Sequence, residues 1–271
     1  MAAKTLAVVL IVASSWSFVP QLQLLWSSRS TDRLSNVYVL VNLISATQQL
    51  TIGLHGILVE PESFMHHQPK ANFDDWLNVV QFVVVWIGHL ATFFLVVSFS
   101  SSGIVQKGAS VVIYAAYLSG TLAIIVYEVI LGDVLYADWV RAMFLGMHIM
   151  YVNPVVHILA IVAFLFQARA MRSETGTASL SVQGLRVQSA VFFVVGVAWF
   201  FRLRIPRGGF YAEPGQPRYS AWTKLLVWYQ MIGWATVANV IFAFVRGGLF
   251  LVARRHDEVT RGVAEAAPLL G

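Results

Sequence analysis

The chain contains no cysteine, and only 11% of its 271 residues are charged. The first absence excludes disulfides and thiolate metal sites. The second excludes an ordinary soluble domain, in which about a quarter of residues carry charge. No nucleophile elbow, phosphate-cradling glycine loop or zinc-protease signature is present, and the paired carboxylates fall in polar loops. The sequence therefore points to no enzyme and to no cofactor. What it does have is apolar surface: 58% hydrophobic residues and a mean hydropathy of +0.71. Its apolar runs reach the roughly 20 residues needed to span a bilayer. A sequence pI near 9.6 would suggest nucleic acid in a soluble chain. Here Lys and Arg cluster in loops that would face anionic lipid, so the bilayer is the expected partner.

Seven spans are predicted, at 5–25, 37–59, 76–98, 109–131, 145–167, 184–203 and 222–245. The first follows Lys4 in the manner of a signal peptide. Its length, Trp16 and Pro20 argue instead for a retained span. Loop charge sets the expected orientation. Arg29, Arg33, Lys107, Arg169, Arg172 and a tail with Arg254, Arg255 and Arg261 share one side. Glu60, Glu62, Asp74 and Asp75 face Lys70 on the other, with Asp133 and Asp138 beside Arg141. The positive-inside rule puts the first side in the cytosol and the N-terminus in a lumen. The loop over 202–220, with Arg202, Arg204, Arg207 and Arg218, runs against this assignment.

One short pattern occurs twice. Pro20-Gln21 closes the first apolar run and Leu34-Ser35 opens the second. Phe166-Gln167 and Leu180-Ser181 repeat them at a fixed spacing of 146 residues. The same spacing sets Thr177 on Thr31, Ser173 on Ser27 and Gln188 on Asn42. It pairs spans one to three with spans five to seven and leaves the fourth as a connector. An odd connector gives both halves the same orientation, so the expected fold is an all-α membrane protein of two parallel three-helix repeats. The expected divisions are 1–105, 106–133, 134–250 and a tail over 251–271.

The order Pro-Gln, short apolar tail, Ser/Thr with basic residues, then Leu-Ser resembles the signature of the PQ-loop repeat family. That family includes cystinosin-like lysosomal and vacuolar exporters, SWEET sugar carriers and the KDEL receptor. The resemblance implies a secondary transporter that moves a small polar solute, an amino acid or related metabolite, by alternating access. It also implies an endomembrane, vacuolar or lysosomal. A pH-indifferent sugar uniporter and a cargo receptor with a basic lumenal pocket are the alternatives.

Within this frame Pro20 and Gln21 form the expected hinge, since proline removes a helix hydrogen bond. A static kink is the competing role. In the second copy Phe166 replaces proline, and Pro154 beside Asn153 is the nearest helix breaker, with Gln167 completing the motif. Asn42 and Gln188 are the amides expected against the solute, with His89 and Asn239 at corresponding heights of the third and seventh spans. Interhelical hydrogen bonding would equally account for such amides. Cystinosin-like members commonly carry a proton-coupling aspartate at the second-half position, where Gln188 cannot titrate. Glu128, an acidic residue inside a span, is the proton-coupling candidate. His66 and His67 near Asp74 and Asp75 lack a fixed ligand spacing and read as a solvated loop, not a metal site. At the C-terminus Glu265, Leu269 and Leu270 resemble an acidic dileucine signal, which implies an adaptor complex as a partner.

Overall fold

The computed structural model describes residues 2–59, 73–131, 138–173, 179–202 and 220–266. All its regular elements are helical. They are α1 (Ala2–Ser28), α2 (Asn36–Leu58), α3 (Phe73–Phe99), α4 (Ile104–Leu131), α5 (Asp138–Met147), α6 (Asn153–Ser173), α7 (Val182–Arg202), α8 (Ala221–Trp228) and α9 (Trp234–Ala266). A π-helical turn, His148–Val152, joins α5 to α6, and a second, Tyr229–Gly233, joins α8 to α9. Seven of the helical stretches are long and apolar enough to cross a membrane. Helices satisfy their own backbone groups, which hydrocarbon requires of any spanning segment. The chain is an integral membrane protein.

The ends of the helices follow from local chemistry. Ser35 caps α2, its hydroxyl accepting from Tyr38 N, and Ser181 does the same at α7 by accepting from Gly184 N at 3.0 Å. Asp74 and Asp75 occupy the first turn of α3, where the helix dipole favours negative charge. α1 ends at a left-handed residue, Arg29 (φ 47°), whose N–H returns to Leu25 O at 3.0 Å.

α3 packs against both α1 and α2, and α9 packs against both α6 and α7. The two groups meet where α1 lies on α7 and α2 on α6. α2 is the most enclosed span, with 83% of its most apolar window buried, against 17% for α4. That contrast puts α4 at the periphery. It is tied on by two tyrosines a turn apart. Tyr114 OH accepts from Trp86 Nε1 at 2.9 Å and lies 3.3 Å from Thr47 Oγ1; Tyr117 OH donates to Gln48 Oε1 at 2.6 Å.

Three apolar layers stack along the bundle. One, around Leu25, Leu34, Leu180 and Leu249, lies at the end carrying the repeated motif. Another, around Leu10, Phe82, Trp199 and Trp234, closes the opposite end. Between them sit Phe18, Ala46, Val85, Phe192 and Phe242.

Pro20 lies inside α1, which continues as helix on either side of it. Several boundaries expected from the sequence change here. The fifth span is interrupted, by the π-turn immediately before Asn153 and Pro154. Proline supplies no N–H to the preceding turn, and a π-turn is one way a helix absorbs such a defect. The last span does not stop at 245. α9 continues because Leu249 and Ala253 extend its buried stripe and Arg254 pairs with Glu258 one turn on, at 2.9 Å. The tail expected over 251–271 therefore begins inside a helix. The backbone of Glu265 belongs to α9, while Leu269 and Leu270 lie outside the described residues. So do His66, His67, Arg204, Arg207, Arg218 and the side chain of Glu128.

Candidate functional site

The two motif glutamines form a reciprocal pair of clamps. Gln21, on α1, donates from Nε2 to Ser179 O at 2.8 Å and accepts from Ser181 N at 2.8 Å. Gln167, on α6, donates from Nε2 to Arg33 O at 2.6 Å and accepts from Ser35 N at 2.8 Å. Each amide thus spans a carbonyl and the N–H two residues later, on the loop entering the other group's second helix. Both the glutamines and their backbone partners stand 146 residues apart. A primary amide, with one acceptor oxygen and two donor hydrogens, suits this two-point contact. Arg33 adopts a left-handed φ of 61°, uncommon for a side chain of its size, and its carbonyl is the one Gln167 holds. Ser179 N also donates to Asp32 O at 3.3 Å, so the two loops touch directly.

Just inside this end lies a small cavity of about 30 Å³, walled by Gln21, Tyr38, Asn42, His89, Gln188 and Arg246 among others. Of the four residues expected at the solute, the structure gathers Asn42, Gln188 and His89 here. Asn239 is elsewhere. Its Nδ2 donates to Ala235 O at 2.8 Å and to Gln49 Oε1 at 3.3 Å, and it does not line this cavity.

The residue that organises the cavity is Arg246, 1% exposed. Its Nε donates to Gln188 Oε1 at 2.7 Å, Nη1 to Phe242 O at 3.3 Å and Nη2 to His89 Nε2 at 3.0 Å. The guanidinium lies 4.8 Å from the Phe192 ring centroid and 4.9 Å from that of Phe242. Because arginine only donates, His89 must present a lone pair at Nε2, which fixes it as the neutral Nδ1–H tautomer. Gln188 is oriented from both ends, since its Nε2 donates to Ser17 O on α1 at 3.2 Å. Asn42 Nδ2 donates to Tyr38 O at 2.7 Å, which leaves Oδ1 buried without a hydrogen-bond partner.

Sequence reasoning missed Arg246. The Arg-Gly-Gly run at 246–248 looks like the end of a span, and the predicted seventh span stops one residue before it. The available signal was the stripe Ala235, Ala238, Phe242, Arg246, Leu249 and Ala253, at helical spacing and all buried. Small residues on the same helix allow the close approach of α7. A Cβ at Gly247 would come within 2.9 Å of Ser189 Oγ, and Ser189 already donates to Ala243 O at 2.9 Å.

The far end of the bundle is shut by aromatic rings. Phe82 stacks on Trp199 at 4.7 Å with an interplanar angle of 11°, and Trp234 lies 5.4 Å from Phe82. Gly53 makes room for Phe82, since a Cβ there would meet the ring at 2.8 Å. A separate polar junction, also unforeseen, centres on Gln48. It donates to His148 O at 3.0 Å, and its Oε1 also sits 3.0 Å from His148 Nδ1, which joins α2 to the first π-turn. Among the described residues, no three His, Asp or Glu side chains converge as a metal site would require.

No protein-family model, curated protein or solved structure matches the chain.

Proposed function

We propose that the protein is a secondary transporter of a small polar solute, an amino acid or related metabolite, working by alternating access across an endomembrane. In this reading α1, α2 and α3 form one three-helix repeat of PQ-loop type and α5–α6, α7 and α8–α9, each joined pair counting as one span, form a second parallel to it, with α4 as the connector. The observation that carries it is the reciprocal clamp. Two glutamines at matching positions make matching bonds to matching backbone atoms, the contact expected of a duplicated bundle closed at one mouth. The order of packing, α3 between α1 and α2 and α9 between α6 and α7, supports the same pairing.

The cavity then lies between two closures, the glutamine clamps and the aromatic stack. Its volume holds roughly two or three waters, taking about 10–15 Å³ for each. Loading a solute therefore requires one closure to part. The clamp end carries Arg29, Arg33, Arg169 and Arg172 and is read as cytosolic, with the N-terminus lumenal. A vacuolar or lysosomal membrane, an adaptor at the dileucine-like tail and the absence of enzymatic chemistry belong to the same proposal.

The test is uptake by the purified chain in liposomes against a panel of amino acids, organic acids and sugars, with and without a pH gradient. Flux of at least one class above protein-free liposomes is expected. Background flux for every class would overturn the reading. A second reading, gradient-driven uniport in the manner of the SWEET carriers, is favoured by one observation: among the described residues, no carboxylate lines the cavity. It requires flux that ignores the pH gradient and survives Glu128→Gln. Proton coupling through Glu128 requires the reverse.

A further inference from the structure

Arg246 is a permanent cation buried in the bundle, and among the described residues no carboxylate hydrogen-bonds to it or lines its cavity. Arginine is not deprotonated in proteins, and a buried ion lacking a counter-charge is strongly destabilising. Three of its five N–H groups have protein acceptors, all neutral: an amide oxygen, a backbone carbonyl and an imidazole nitrogen. The two phenylalanine faces add cation–π attraction but no negative charge. Two N–H groups are left. In the same cavity Asn42 Oδ1 is a buried acceptor that takes no hydrogen bond from the described residues. Among the described residues the chamber therefore holds a guanidinium without a counter-charge, with two N–H groups unspent, and one unused amide acceptor.

We infer that the solute is a small monocarboxylate bearing a hydroxyl on the neighbouring carbon, its carboxylate paired with Arg246 and its hydroxyl donating to Asn42 Oδ1. The inference rests on the transport reading for its solute but not for its site. Net charge separates the chemical classes. A hydroxy acid brings one negative charge and leaves the chamber neutral. A zwitterionic amino acid leaves it at +1 and places an ammonium opposite a guanidinium with only an amide oxygen to offset it. A cationic amino acid is worse still, and a sugar leaves the guanidinium unpaired.

The experiment is thermal unfolding of the purified full chain in detergent, titrated with sodium lactate, lactamide, propionate, glycine, lysine, sodium chloride or sodium phosphate. Lactate is expected to raise the midpoint saturably, with an apparent affinity at least tenfold above lactamide, glycine and lysine. Arg246→Gln should abolish the shift. Arg246→Lys keeps the charge without the two-point geometry, so it should weaken lactate at least tenfold yet keep its preference over lactamide. Should Arg246→Gln fail to fold, Asn42→Ala carries the test, since it should erase the preference for lactate over propionate. Lactamide matching lactate, lactate binding unchanged by Arg246→Gln, or an Asn42→Ala chain that still prefers lactate over propionate would each overturn the assignment. Chloride or phosphate acting as strongly as lactate would reduce the site to one for inorganic anions and overturn it too.

Flux distinguishes this failure from that of the transport reading. Lactate that binds while no panel solute moves in liposomes upholds the site and removes the transporter. A panel solute without a carboxylate that moves, while lactate neither binds nor moves, does the opposite.

Discussion

Replacing Gln167 by alanine tests whether the clamp is a gate. The side chain makes two hydrogen bonds to the α1–α2 loop, at 2.6 and 2.8 Å, and is fully buried. At about 1 kcal/mol net for each bond, its removal costs the closed mouth about 2 kcal/mol, or about thirty-fold in the open-to-closed ratio. Arg33 adds to the effect, because its left-handed backbone loses the contact that holds it. The absence of native cysteine makes the assay direct: a single cysteine at Thr92, on the cavity wall, is the protein's only thiol. Its labelling by an impermeant maleimide from the motif side should accelerate by about ten- to thirty-fold in Gln167→Ala. Gln21→Ala should do the same by the same reasoning. The double variant should gain less than the product of the two, since releasing one clamp already frees the loop contact that the other braces. Labelling rates equal to those of the parent chain in both single variants would refute the gate and leave the glutamines as static packing.

Three further outcomes follow from the geometry. Gly88→Ala puts a Cβ within 2.6 Å of the Phe18 ring, so α1 and α3 must separate beside His89. A loss of about 1–3 kcal/mol, a fall of several degrees in the unfolding midpoint, is expected, and an unchanged midpoint would contradict the packing. Phe82→Leu stays apolar but is smaller and removes the ring contacts with Trp199 and Trp234, worth about 1 kcal/mol. A cysteine at Val85 should then be labelled about fivefold faster from the far side, and no faster from the motif side. His89→Gln supplies another acceptor for Arg246 Nη2, whereas His89→Ala leaves that N–H unpaired at a cost of about 1–3 kcal/mol. Because the Arg246 bond requires a neutral imidazole, His89→Gln should leave the pH profile of flux unchanged between pH 5 and 8. A flattened profile would make His89 the titrating group.

The sequence alone was enough for the membrane, the seven spans and the spacing of the repeated motif. Those properties are set by apolar length, by the scarcity of charge and by residue identities at a fixed offset, none of which needs tertiary contacts. Asn42, Gln188 and His89 were also legible, because a polar side chain inside an apolar run has few roles open to it. Their partners were not. That Gln21 reaches Ser179 and Ser181, and Gln167 reaches Arg33 and Ser35, depends on how two helix groups face one another, which no local pattern encodes. Asn239 has the right residue type at a plausible height, yet it turns to Gln49, because helix rotation decides which of two polar faces meets the cavity. Arg246 was the costliest omission. Its charge makes it look like the edge of a span, and only the packing of Phe192, Phe242, His89 and Gln188 around it turns that charge inward. Hydropathy reads how much charge a segment carries; where the charge points is a property of the assembled bundle.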